Sequence, residues 1–131
     1  MCNRMTGLLF FALLFMILGC AKQHIMLDRA VVMNATEDKI TDVRILHEPT
    51  RKTARVNTIL PKKTLELAFS GQPMLANVAT VSWRDSAGVE RQVRLDLPYD
   101  KVAASDGRLM QLVYVIQSSG RVTAHLEAVM R

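Results

Sequence analysis

An all-β fold is what the sequence predicts, and three observations predict it. Apolar and polar residues alternate with period two through most of the chain beyond residue 25. Clusters of turn-forming residues interrupt the alternation at short intervals. Helical spacing fits the same stretches poorly. Two small sheets packed face to face satisfy this pattern: each strand buries one face and wets the other.

The strands are expected in order at 25–33, 40–47, 54–60, 64–69, 76–84, 88–97, 109–117 and 121–129. Thr36-Glu37-Asp38-Lys39 separates the first two. Within 40–47, Thr41, Val43 and Ile45 are expected on the inner face, with Asp42 and Arg44 outside. Pro61-Lys62-Lys63 breaks the third stretch from the fourth, where Leu65, Leu67 and Phe69 share a face. Asp85-Ser86-Ala87-Gly88 and Ser118-Ser119-Gly120 read as hairpin loops. In 89–97, Val89, Val93, Leu95 and Leu97 point one way, joined by Arg91. In 121–130, Val122, Ala124, Leu126, Ala128 and Met130 do the same. Met110, Leu112, Tyr114 and Ile116 line one face of 109–117, and Val113 and Val115 make its second face apolar too. The remaining segment, 98–108, predicts a short helical or irregular crossover. The whole is expected to be a small antiparallel β-sandwich of immunoglobulin-like type, with a small closed barrel as the alternative.

Composition narrows the function classes. The chain has 131 residues, enough for one small domain. Half of them are hydrophobic and 22% are charged, which excludes a disordered chain. Two cysteines, Cys2 and Cys20, are too few for a disulfide scaffold or a four-cysteine zinc site.

The N-terminus has a different character. Residues 7–19 read GLLFFALLFMILG without a charge, and Arg4 precedes them. A basic residue, a short apolar run and a small residue at its end are the layout of a secretory signal. The run is too short to cross a bilayer as a helix, which needs roughly 20 apolar residues. Ile17-Leu18-Gly19-Cys20 then resembles the lipobox of bacterial lipoproteins, with an apolar residue three before the cysteine and a small one directly before it. The resemblance covers residues 1–20. It implies removal of 1–19, acylation of Cys20, a short tether over 20–24 and a β-sandwich domain over 25–131. It further implies a partner in the lipid bilayer itself, gripped firmly because several acyl chains hold where one does not. Ala21, where inner-membrane retention favours Asp in enterobacterial lipoproteins, points to the periplasmic face of the outer membrane, with the inner membrane as the alternative. With Cys2 lost and Cys20 acylated, the domain has no thiol and depends on packing for stability.

Export makes nucleic acid an improbable partner for the positive charge. Between Arg44 and Lys63, six bases face one acid, Glu48. Arg51, Lys52, Arg55, Lys62 and Lys63, together with Lys22 beside the anchor, are the candidate contacts to anionic lipid or an acidic protein. Solvated strand faces and turns are the plainer account of them.

Candidate chemistry is sparse. The sequence contains no Gly-x-Ser-x-Gly elbow, no His-Glu-x-x-His pair and no phosphate-cradling glycine loop. No catalytic residue, metal ligand or cofactor is assigned. His125 and Glu127 share a strand face, but two ligand types at that spacing are common by chance. His47 and Glu48 point to opposite faces. Trp83 reads as a core residue between the sheets, or as the floor of a groove that stacks a ligand. Three roles remain open: a non-enzymatic accessory module with an envelope protein partner, a ligand-binding or inhibitor lipoprotein, and an envelope enzyme with dispersed catalytic residues.

Overall fold

A computed structural model describes residues 26–68, 77–98 and 109–129. The 98–108 crossover beyond Pro98, Phe69, Met130, Lys22 and the lipobox fall outside them. The chain forms strands β1 (Met26–Asn34), β2 (Ile40–Glu48), β3 (Thr53–Ile59), β4 (Thr64–Leu67), β5 (Val78–Arg84), β6 (Glu90–Asp96), β7 (Leu109–Ile116) and β8 (Val122–Ala128). They make two four-stranded sheets, in the orders β4-β1-β7-β8 and β3-β2-β5-β6. The fold is the small β-sandwich that the alternation implies. One pairing departs from the antiparallel expectation: β1 and β7 run parallel. Strands so far apart in sequence are free to pair either way, because no tight turn fixes their sense.

The inner faces follow the alternation closely. Ala30 and Val32 of β1, Ala79, Val81 and Trp83 of β5, and Leu112, Tyr114 and Ile116 of β7 are all buried in one cluster. Trp83 is 2% exposed and belongs to the core between the sheets. Edges behave differently. Leu65, on the short edge strand β4, is 39% exposed, and Val89 before β6 is 53% exposed. Ala128, at the end of edge strand β8, is also exposed. Edge positions have a neighbour on one side only, so alternation overstates their burial.

One expectation on β2 is corrected. Ile40 is buried and Thr41 is only half-buried, whereas Val43, Ile45 and His47 are buried. The register between β2 and β5 shifts between Thr41 and Arg44, where one residue of β5 faces two of β2. Asp42 sits at this bulge with φ 49°. A bulge inserts one extra residue and reverses the in/out phase. Ile40 and Val43, three apart, can therefore both reach the core.

The two buried polar residues of the described core, Asn34 and His47, are hydrogen-bonded. Asn34, fully buried, donates from Nδ2 to the carbonyls of Asp38 (2.8 Å) and Ile59 (3.0 Å). Its Oδ1 accepts from the amide and hydroxyl of Thr36, at 3.0 and 2.6 Å. Its backbone bonds to Lys62 and Lys63 in the β3–β4 turn. One residue, through its side chain and its backbone, thus ties two turns and the end of β3 together. His47, 1% exposed, meets the hydroxyl of Tyr114 through Nε2 at 2.6 Å, joining β2 of one sheet to β7 of the other. Burial lowers the His47 pKa from 6.5 to about 4, so the ring is neutral at pH 7.

Strand directions sort the connections into two ends. Turns 35–39, 60–63, 85–89 and 117–121 lie at one end, which we call the far end. Met26, the β2–β3 turn, the start of β7 and the end of β8 lie at the other, the entry end. Nine residues of β1 separate them, a distance of about 26–30 Å.

Two outcomes follow for stability. Asn34→Ala leaves the Ile59 carbonyl without its donor in a buried site and should cost about 2–3 kcal/mol, read as a lower urea midpoint with an unchanged slope. For His47 the native ring resists protonation until about pH 4, while the unfolded ring takes a proton near 6.5. The unfolded state therefore binds more protons within that window, and stability falls as pH drops through it, by about 3 kcal/mol in total. The comparison is between wild type and His47→Gln in urea melts from pH 7 to 4. The variant should lose that part of the slope; parallel curves would contradict the assignment.

Candidate functional site

The bases singled out in the sequence do not form one patch. Arg51 and Lys52 sit in the β2–β3 turn at the entry end. Lys62 and Lys63 sit in the β3–β4 turn at the far end, a strand length away. Lys62 is also engaged locally: Nζ donates to the Ala35 carbonyl at 2.8 Å and pairs with Glu37 at 3.0 Å. Arg55 alone lies on a sheet face between them, projecting from the outer side of β3.

A different group of bases converges on that face. Arg44 of β2 stands directly across from Arg55 of β3, and Arg84 ends β5 on the other side of β2. The Asp42 carboxylate sits among them. Arg44 grips it with two nitrogens, Nε to Oδ1 and Nη2 to Oδ2, both at 3.3 Å. Arg55 Nε lies 4.0 Å from Oδ1 and Arg84 Nε lies 3.9 Å from Oδ2, ion-pair distances too long for hydrogen bonds. The three arginine side chains are 47%, 56% and 54% exposed. Glu90, across from Arg84 on β6, forms no ion pair with it. Farther along the face, Arg94 reaches Glu48 at 3.3 Å. Alternation places Asp42 outside, but its gathering of arginines is not legible in the sequence. The bulge at Asp42 leaves one faint trace, the three-residue step from Ile40 to Val43.

A second feature occupies the far end. Thr36 to Ile40, Asp85 to Ala87, Gln117, Ser118, Gly120 and Arg91 surround a cleft of about 340 Å³ that reaches Trp83. Asp85 shapes its wall. The amides of Ala87 and Val89 both donate to Asp85 Oδ1 at 3.0 Å, and Arg91 Nε donates to Oδ2 at 3.1 Å. These bonds, that from Val89 foremost, hold the Asp85 carboxyl below its ordinary pKa. Gly88, φ 77°, closes the turn in a backbone conformation that side-chain-bearing residues rarely adopt. Arg91, expected on the inner face, is on that side of β6, opposite Trp83, but at the mouth of the cleft and exposed.

The histidines separate. His47 is consumed by its bond to Tyr114. His125 Nε2 meets Glu127 Oε1 at 2.8 Å on the exposed face of β8, and Gln111 donates to Glu127 Oε2 at 3.1 Å. Those bonds, His125's first, lower the Glu127 pKa. Among the described residues no group of three or more His, Cys, Asp or Glu is placed to hold a metal ion. Val113, on the second face of β7, is 7% exposed, so that part of the face is covered.

No protein-family model matches the chain, and no curated protein matches it. A solved structure is similar: the NMR structure of a protein from Eubacterium rectale, over 84% of this chain and 94% of that one, at 10% identity and a TM-score of 0.49. That likeness is too distant to carry an argument about the site.

Proposed function

We propose that the protein is a membrane-anchored lipoprotein facing the periplasm, and that it serves as a non-enzymatic accessory module of the bacterial envelope, on the outer membrane. The observation that carries this reading is Ile17-Leu18-Gly19-Cys20 at the end of an uncharged apolar run. Geometry supports it in one respect. From Cys20 to Met26 the chain spans at most about 21 Å, less than the length of β1. An acylated Cys20 therefore holds the entry end near the headgroups. The far-end turns then lie about a strand length from the entry end. On this reading Arg51 and Lys52, at the entry end, join Lys22 on the bilayer side, and Lys62 and Lys63 belong to the opposite end.

A second reading is a ligand-binding or inhibitor lipoprotein. The cleft at the far end favours it, because it reaches down to Trp83 and is lined by charged groups at Asp38, Asp85 and Arg91.

Cys20→Ala tests the anchor. The variant should leave the membrane fraction, and the mass of the natively purified wild type should show a chain beginning at Cys20 with acyl groups. An unacylated mass would sink the proposal. Charge reversal tests the orientation. Arg51→Glu with Lys52→Glu should weaken binding of the delipidated protein to phosphatidylglycerol vesicles, each base contributing about 1 kcal/mol near the surface. Lys62→Glu with Lys63→Glu should leave that binding nearly unchanged. The reverse ranking would mean that the far end, not the entry end, meets the lipid.

A further inference from the structure

We infer that the outer face of the β3-β2-β5-β6 sheet is a docking surface for an acidic polypeptide segment, received by Arg44, Arg55 and Arg84 around Asp42. The inference does not depend on the lipid anchor.

Two local arrangements run against stability at this spot. Arg44 and Arg55 are direct cross-strand partners, and like charges so placed repel. Asp42 holds a left-handed backbone at a bulge inside a strand, not in a turn. The bulge accounts for burying Ile40, and Asp suits its left-handed backbone, but neither accounts for arginines on the three strands gathered there. Taken together, the charges form one arrangement: a carboxylate that orients Arg44 and leaves two guanidinium groups only loosely engaged.

The geometry also indicates the chemistry of the guest. Asp42 already shows a carboxylate seated on an arginine fork in the bidentate manner that guanidinium favours. Arg55 and Arg84 lie on the strands flanking β2, Arg55 level with Ser82, which places their backbones about 12 Å apart. Each of these guanidinium groups is more than half exposed and can take a carboxylate of its own, which successive acidic side chains along one chain supply. Glu48 and Asp96 stand at the entry-end side of the same face, with Arg94. The face is thus zoned along its strands: Arg44, Arg55 and Arg84 outnumber Asp42 and Glu90 from its middle to the far end, and Glu48 and Asp96 outnumber Arg94 toward the entry end. An acidic segment is steered to the first zone and repelled from the second.

The test uses the full-length protein in detergent and a fluorescein-labelled hexa-aspartate peptide, followed by anisotropy. The wild type should bind, and added salt should weaken binding. Arg55→Gln with Arg84→Gln should weaken it about tenfold, as expected for losing two exposed charge contacts. Asp42→Asn tolerates the same backbone and removes the competing carboxylate, so it should bind several-fold more tightly. Lys63→Gln, with one charge removed elsewhere, should bind as wild type does. Thermal melts check that the variants fold, and Arg55→Gln alone, on an edge strand, supplies a milder substitution. Equal affinity of wild type and the double variant would overturn the inference. So would a loss of phosphatidylglycerol vesicle binding in that variant with peptide binding intact, since the surface would then read lipid.

Discussion

The bulge at Asp42 is the constraint around which this sandwich is arranged. Strand β2 is central in its sheet, paired to β3 and β5 at once. A strand in that position must match its core face to both neighbours and to the opposing sheet. Ile40 and Val43 cannot both face inward in an unbroken strand, because an odd step puts them on opposite sides. Leaving Ile40 outside would expose a side chain whose burial stabilises the fold by roughly 2 kcal/mol. One extra residue solves the problem for β2, and Asp tolerates the left-handed backbone better than most side chains do. The same extra residue sets the register against β5, and hence brings Arg84 beside the Asp42 carboxylate. Core packing and surface chemistry are here two faces of one local distortion.

Much of the fold was legible because period-two alternation is a statement about burial, and burial is what a sandwich needs. Val81 and Trp83, or Leu112, Tyr114 and Ile116, announce a core face without reference to anything outside their own strand. Three kinds of feature resisted. The bulge broke the phase within a single strand, so alternation puts Thr41 inside and leaves Ile40 out. Edge positions such as Leu65 kept the pattern but lacked a second neighbour to cover them. Long-range polar contacts left almost no local mark. Asn34 looks like a strand-ending residue, and nothing beside it announces the Ile59 carbonyl, twenty-five positions away. His47 does continue the run Val43, Ile45, His47, which is a legible hint that it is buried. Its partner Tyr114 is visible only once the sheets are stacked.

Charge was the least legible property, for a physical reason. A count along the sequence treats Arg51, Lys52, Lys62 and Lys63 as one basic stretch. An extended strand separates what the sequence runs together, since each residue adds about 3.3 Å. Strand pairing has the converse effect. It placed Arg44, Arg55 and Arg84, spread over forty positions, around one carboxylate. In a β protein, local charge density in sequence is a poor guide to local charge density in space. Registers decide it, and register is the quantity that a bulge alters.

Stability alone does not account for the arginine cluster. Ion pairs this exposed contribute only about 0–1 kcal/mol each, and two of the three are at the limit of an ion-pair distance. Against that small gain stands the repulsion of Arg44 and Arg55 and the backbone cost at Asp42. The core needs a bulge, but a bulge ringed by neutral side chains would serve it as well, with Ser82 already showing a small polar residue on this face. The choice of arginine at three neighbouring positions therefore answers to something the isolated domain does not contain. An anion with more than one carboxylate supplies what is missing, because each group it presents converts a loosely held guanidinium into a paired one.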